Sequence, residues 1–249
     1  MLSTWSGPQS VELMGGEMIS IICSNYNSDR WIANYCNYIN SQHLHTFELV
    51  FVDANSSDNS LQYVRDFSFR EGIEVTIIPL QDRVAIYEAW NIGIKAAKYD
   101  YVMNFNTDDK LFKSSLLVLS SYLPLYPHVD VFYSNCFVSD DAAHSNLINF
   151  HNWMNANDIT NLLEGCCVGP FPLLKKQTVI DAGMFNPAYW ISGDYEMWCR
   201  MKSKGFVFLK LEELLGVYFR NPEGMSTRPD IDRHMEHLRQ DNLIRDTYR

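Results

Sequence analysis

Apolar runs separated by amphipathic stretches set the pattern of the chain between residues 18 and 111. The runs at 19–23, 47–52, 75–80 and 101–105 are apolar on both faces, whereas 31–39, 61–67 and 86–97 carry apolar residues at helical spacing. This alternation predicts a βαβαβαβ series. Strands that are apolar on both faces must be covered on both sides, which is the doubly wound α/β arrangement, and its ligands sit at the carboxyl ends of the strands. Beyond Lys110 the pattern loosens into a helix at 111–123, a strand at 129–137 and an irregular aromatic-rich stretch. A helix near 194–204 and strand-like runs at 206–209 and 215–219 follow, so this half reads as α+β. Over 229–249, Ile231, Met235 and Leu238 recur at helical spacing among charged residues and predict an amphipathic helix. No repeat or Pro/Gly/Ser-rich linker divides the chain, which predicts a single domain over 1–249. Its expected parts are an extension (1–17), two halves (18–111 and 112–226) and the final helix (227–249), with a continuation into a further domain left open.

Composition narrows the class. With 249 residues, 47% of them hydrophobic, the chain can bury a large core, which excludes disorder. A formal net charge of −10 argues against nucleic acid as a partner. No run of eighteen apolar residues occurs, so no membrane span is expected, and residues 1–16 lack the basic and apolar regions of a secretory signal. Cytoplasmic residence is the resulting expectation. Cys23, Cys36, Cys136, Cys166, Cys167 and Cys199 show no C-x-x-C spacing and read as reduced core thiols.

Four segments can carry chemistry. Ser24-Asn25-Tyr26-Asn27 follows the first predicted strand and Asp53-Ala54-Asn55-Ser56-Ser57-Asp58 the second, so both face one crevice. A carboxylate there can accept from a nucleobase or ribose, and Tyr26 can flank a base; helix caps and turns explain the same residues equally simply. Asn106-Thr107-Asp108-Asp109 ends the fourth strand. Adjacent carboxylates repel unless a cation or hydrogen bonds compensate, so the pair suits Mg²⁺ or Mn²⁺ on a diphosphate, or the N-terminus of the helix at 111–123. Ser192-Gly193-Asp194-Tyr195-Glu196 opens a helix, where an aromatic-flanked Asp194 is either a general base or a cap. The pairs His43/His45 and His234/His237 lack companion ligands at zinc spacing. No G-x-G-x-x-G, Walker A, H-E-x-x-H or G-x-S-x-G pattern occurs.

Together these segments resemble the family-2 glycosyltransferases of the GT-A fold over about residues 18–226. Residues 19–27 look like the family's opening strand, usually ending Pro-Thr-Tyr-Asn, and residues 48–58 like its second strand and Asp-x-x-Ser-x-Asp turn. Tyr87-Glu88-Ala89-Trp90-Asn91-Ile92-Gly93-Ile94 resembles the helix motif Tyr-Asp-Ala-Met-Asn-x-Gly-Ile, the most specific match. Asn106-Thr107-Asp108 then occupies the D-x-D triplet. Three positions depart from the pattern: Asn106 for the triplet's first acid, Ser24 for the usual proline and Ala85 for a usual glycine.

The resemblance implies a Rossmann-like, mostly parallel sheet with a smaller acceptor-side half. It also implies inverting transfer from a nucleotide sugar, UDP-linked as the first expectation, to a hydroxyl of a glycan, lipid-linked or protein-linked acceptor. Ser24, Asn25, Tyr26, Asp53, Arg83, Asn106 and Asp108 would contact the donor, with Asp53 reading the base. Asp108, with Asp109 beside it, would hold Mn²⁺ or Mg²⁺ on the diphosphate, and Asp194 would deprotonate the acceptor. Tyr189, Trp190, Tyr195 and Trp198 can stack on a sugar or belong to the core. Two other classes compete: a catalytically silent nucleotide- or glycan-binding module of the same fold, which Asn106 favours, and a sugar-nucleotide pyrophosphorylase. The latter calls for a Gly-rich basic loop that residues 24–30 do not supply.

Overall fold

The computed structural model describes residues 18–144, 159–225 and 227–249. The extension expected over 1–17, part of the aromatic-rich stretch (145–158) and Ser226 lie outside the described residues. The first half alternates β1 (Ile19–Asn25), α1 (Asp29–Asn40), β2 (Phe47–Asp53), α2 (Ser60–Asp66), β3 (Ile73–Pro79), α3 (Ile86–Ala96) and β4 (Tyr101–Asn104). The second half contains β5 (Lys110–Leu111), α4 (Ser115–Tyr122), β6 (Val131–Ser134), β7 (Phe137–Ser139), a 3₁₀ helix (Ile159–Glu164), β8 (Leu173–Lys175) and α5 (Lys176–Ala182). It closes with α6 (Gly193–Ser203), β9 (Phe208–Leu211), β10 (Gly216–Phe219) and α7 (Ile231–Tyr248).

One seven-stranded sheet runs in the order β3-β2-β1-β4-β8-β6-β9 and a three-stranded sheet in the order β5-β10-β7. In the large sheet β1, β2, β3 and β4 are parallel, and β8 runs antiparallel to both β4 and β6. Strand residues alternate between two cores, as a period of two requires. Ile19, Ile21, Cys23, Phe47, Leu49 and Phe51 meet Ile32, Tyr35 and Ile39 of α1 on one face. Ile22, Val50 and Val52 meet Tyr87, Trp90 and Ile94 of α3 on the other. Each such side chain contributes about 1.5–3 kcal/mol by leaving water. The glycine of the α3 motif has a steric reason. A Cβ on Gly93 would lie 2.5 Å from Ile22 Cγ2 and 3.2 Å from Val52 Cγ2, so only glycine lets α3 approach the sheet this closely.

The second half departs from the expected elements in four ways. The helix expected over 111–123 begins only at Ser115, because Lys110 and Leu111 pair with β10. The apolar run 129–137 splits between two sheets as β6 and β7, although no breaker marks the step. The short β8, which carries no distinctive periodicity, joins the two halves of the sheet, and α5 follows it directly. The final helix forms, but its apolar stripe faces outward: Ile231, Met235 and Leu238 are 72%, 57% and 43% exposed, while Gln240 and Ile244 are buried. All six cysteines are free thiols, with Cys166 exposed rather than in the core. Among the described residues no helix is long and apolar enough to cross a membrane.

Candidate active site

The carboxyl ends of β1 and β2 lie side by side, with Asn25 in register with Asp53. Their following loops are laced together. Asn25 Nδ2 donates to Asp53 Oδ1 at 2.6 Å and to Ser60 Oγ at 2.9 Å, and its Oδ1 accepts from the Ser28 hydroxyl. Ser56 donates to Asp53 through its hydroxyl (2.6 Å) and its backbone N–H (3.0 Å). Asn27 and Asn55 take left-handed backbone conformations, which asparagine tolerates better than most residues, and Asn27 Oδ1 accepts from Ser57 N at 2.8 Å. Asp58 caps two helices at once, accepting from Asp29 N at 2.8 Å and Ser60 N at 3.0 Å.

These contacts correct one expectation. Asn25, expected on the donor, is fully buried with its amide spent inside the loops, so it builds the floor of the crevice and does not line it. Asp53 is buried at the same knot, and Ser24 is half-buried at the end of β1. The accessible groups at this end include Tyr26, 41% exposed, and Arg83, whose guanidinium lies 4.2 Å from the Tyr26 ring centroid.

The turn after β4 gathers oxygen atoms. Asp109 is buried and accepts from Phe219 N at 3.0 Å, anchoring the turn to β10. Asp108 is half-buried, and its Oδ2 accepts from Asn221 Nδ2 at 2.9 Å. Burial pushes both carboxyls above the usual range, Asp109 further because the Asp108 charge adds to the effect. Helix capping does not explain the pair, since α4 starts after Ser114. Among the described residues, Asn104 Oδ1, Asn106 Oδ1 and Asp109 Oδ2 are buried without a hydrogen-bond partner. Such an all-oxygen set fits a hard divalent cation. Among the described residues there is no group of three or more His, Cys, Asp or Glu that could hold a metal ion. Of the two acids expected on the metal, Asp108 is half-buried with Oδ2 engaged by Asn221, and Asp109 is buried with Oδ2 unpartnered.

Asp194 stands in the first turn of α6. Its Oδ1 accepts from Tyr195 N at 2.8 Å and from the Tyr87 hydroxyl at 3.1 Å, and among the described residues Oδ2 accepts nothing. Burial raises its pKa above the ordinary carboxylate value, while the two hydrogen bonds and the nearby His237 pull it partly back. Gly193 admits this geometry: a Cβ there would lie 2.7 Å from the Tyr87 ring. Asn91, one turn after Tyr87, clasps the backbone of Phe185 with Nδ2 to the carbonyl at 2.7 Å and Oδ1 to the N–H at 3.0 Å. The α3 motif thus reaches across to hold the segment that carries Asp194. Sequence reasoning missed this role for Tyr87 and Asn91, since both also fit an ordinary helix.

The other acid of the segment is committed elsewhere: Glu196 pairs bidentately with Arg200 at 2.9 Å and accepts from the Tyr248 hydroxyl at 2.6 Å. Tyr195 and Trp198 are core residues, with Tyr195 donating to Leu162 O at 2.9 Å, so they cannot stack on a sugar. Trp190, 36% exposed beneath Arg233, and the half-buried Tyr189 remain available.

Comparison with known proteins gives a consistent picture. The model of the family described as glycosyl transferase family 2 matches residues 20–180. The amylovoran biosynthesis glycosyltransferase AmsE of Erwinia amylovora is 23% identical over 206 residues, covering 80% of this chain and 74% of AmsE. The poly-β-1,6-N-acetyl-D-glucosamine synthase of Staphylococcus aureus is 22% identical over 83% of this chain and 51% of its own length. The glycosyltransferase GlyG of Streptococcus pneumoniae is 27% identical over 93 residues, covering 37% of this chain and 31% of GlyG. In structure, S. aureus TarS 1-349 in complex with UDP superposes with a TM-score of 0.70 at 17% identity, over 91% of this chain and 65% of that one. The mannosyltransferase PcManGT of Pyrobaculum calidifontis, in complex with GDP-Man and Mn²⁺, gives 0.67 at 17% identity over 94% and 66%. The chain therefore spans about a third of GlyG and about half of the synthase. The fold is that of the GT-A glycosyltransferases.

Proposed function

The chain belongs to glycosyl transferase family 2, and from that premise we propose that it transfers a sugar, with inversion, from a nucleoside diphosphate sugar to an acceptor hydroxyl. The observation that carries this reading is the state of Asp194: one carboxylate oxygen is held from two sides, the other is unengaged among the described residues, and the pKa is raised. Oδ2 takes the proton of the acceptor hydroxyl as its oxygen attacks the anomeric carbon from the face opposite the leaving diphosphate. The bond from that carbon to the diphosphate oxygen breaks, and its electron pair leaves with the oxygen. One displacement by one base inverts the anomeric centre.

Tyr26 and Arg83 would flank the nucleotide, and Asp53, its oxygens held by Asn25 and Ser56, would support the floor of the same crevice. Asp108 would hold Mn²⁺ or Mg²⁺, with Asp109 adding its charge from behind. When bound, the cation neutralises charge developing on the leaving diphosphate. UDP is the expected nucleotide, as it is the one TarS 1-349 holds. A growing polysaccharide is the proposed acceptor, because AmsE and the synthase are named for such polymers. Six free cysteines suit a reducing compartment, and the cytoplasm is the proposed location.

UDP released from UDP-glucose, UDP-galactose and UDP-N-acetylglucosamine tests the reading. Asp194→Asn should lower turnover roughly 10²–10⁴-fold, the contribution of a positioned base, while leaving UDP affinity within about twofold of wild type. Near-parental turnover in that variant, or a product of retained configuration, would overturn the assignment.

A further inference from the structure

We propose that α7 is a positioning clamp for the base, acting through Gln240 and Asp241 on the two residues that precede Gly193 and Asp194. The inference rests on the reading of Asp194 as the base. Helix α7 lies beyond residues 20–180, which match the family; its stripe of Ile231, Met235 and Leu238 is exposed, and Ile244 and Tyr248 near its end pack on the core. One turn before Ile244 a polar side chain faces inward. Gln240 is 1% exposed, and its Oε1 accepts from both Ile191 N (3.2 Å) and Ser192 N (3.1 Å). Its Nε2 donates to Glu236 Oε1 at 2.7 Å, which orients the amide so that the carbonyl faces the two N–H groups. Asp241 Oδ1 accepts from the Ser192 hydroxyl at 2.7 Å, drawing the N-cap residue of α6 onto α7.

On the opposite side the Tyr87 hydroxyl lies 2.9 Å from Ile191 O and 3.1 Å from Asp194 Oδ1. The short segment 191–194 is therefore gripped by α3 and by α7, and the place of Asp194 follows from both grips. A buried N–H that loses its acceptor must find water or move, and a base displaced by about 1 Å can lose on the order of 10²-fold in rate. Gln240 touches no reacting atom, so it is a positioning residue.

The test uses the full chain and the UDP-sugar that the wild type turns over. Gln240→Leu removes the acceptor at nearly constant volume. Turnover should fall about 10–100-fold, KM for the UDP-sugar should stay within about twofold, and amide exchange should accelerate at 191–195 but not in β1 or β2. The double swap Gln240→Glu with Glu236→Gln keeps both the acceptor towards 191–192 and the 236–240 hydrogen bond, and should restore most of the turnover. If Gln240→Leu fails to fold, Ser192→Ala removes only the bond to Asp241 and should give a smaller fall of the same kind. Unchanged turnover in a folded Gln240→Leu, or in Ser192→Ala if the former does not fold, or a swap that restores stability without turnover, would overturn the clamp. Asp194→Asn measured alongside separates the two readings. An inactive Asp194→Asn beside an active Gln240→Leu refutes only the clamp, and an active Asp194→Asn refutes the base itself.

Discussion

Asp194 joins two properties that oppose each other, and both can be measured. Its carboxyl has a raised pKa in the folded chain because burial disfavours the charge. Below the unfolded value, about 3.9 for aspartate, both states hold the proton. As pH rises through the folded value the native state must ionise a buried group, so stability present in acid is lost towards neutrality. Asp194→Asn should therefore unfold at a temperature no lower than wild type between pH 6 and 8 while losing transfer, as thermal scans beside the turnover assay would show. The acid limb of the kcat profile should likewise lie above the ordinary aspartate value, since only the ionised carboxylate accepts a proton. Asp108 follows similar logic: it stands beside Asp109 and both are raised by burial. Asp108→Asn relieves that repulsion, so without divalent cation its melting temperature should match or exceed that of wild type. With UDP and Mn²⁺ its gain should be clearly smaller than that of wild type; an equal gain would remove Asp108 from the cation site.

Helix α3 explains how a motif in the nucleotide half governs a base in the other half. Gly93 seats the helix against Ile22 and Val52, and from that seat Tyr87 and Asn91 reach the segment that precedes and includes Asp194. Tyr87 is buried and packs on Phe185 with ring centroids 5.9 Å apart, so it has little room to yield. Gly193→Ala puts a Cβ 2.7 Å from that ring and should lower turnover at least about tenfold with the chain still folded, because the base and the ring must separate. Tyr87→Phe keeps the ring and removes the hydrogen bond that favours ionised Asp194. Its acid limb should move to higher pH, and a pH–kcat series on the variant checks the direction. The loops after β1 and β2 work in the same way: buried Asn25 and Asp53, with the half-buried Asp58, tie the two loops together, so that Tyr26 and Arg83 are presented on a rigid floor.

In the whole molecule, the seven-stranded sheet carries both halves, with β8 bonded to β4 on one side and β6 on the other. Ligand binding at the tips of β1, β2 and β4 should therefore stabilise the sheet as a unit. UDP with Mn²⁺ at about 100 times its dissociation constant should raise stability by about 2.7 kcal/mol in a single transition, and by more than GDP or dTDP at equal concentration. A larger shift with GDP would reassign the nucleotide. The strands and helices of the first half were legible from the sequence because their cues are local: apolar runs of strand length, helical spacing between them, and polar residues where each strand ends. The acidic turn after β4 and Asp194 at the start of α6 were legible for the same reason. Longer-range contacts decided the rest. Asn25 became a buried knot because Asp53 and Ser60 converge on it from a distant part of the chain, joining the local contact from Ser28. The run 129–137 divided because β9 captured one part and β10 the other. The spacing of Ile231, Met235 and Leu238 predicted the helix α7, whereas the tertiary fold turned that stripe outward and set Gln240 against the backbone at 191 and 192. Periodicity along a chain reports which residues can be buried together, whereas the partner that satisfies a buried amide, carboxylate or backbone N–H is chosen only when distant segments meet.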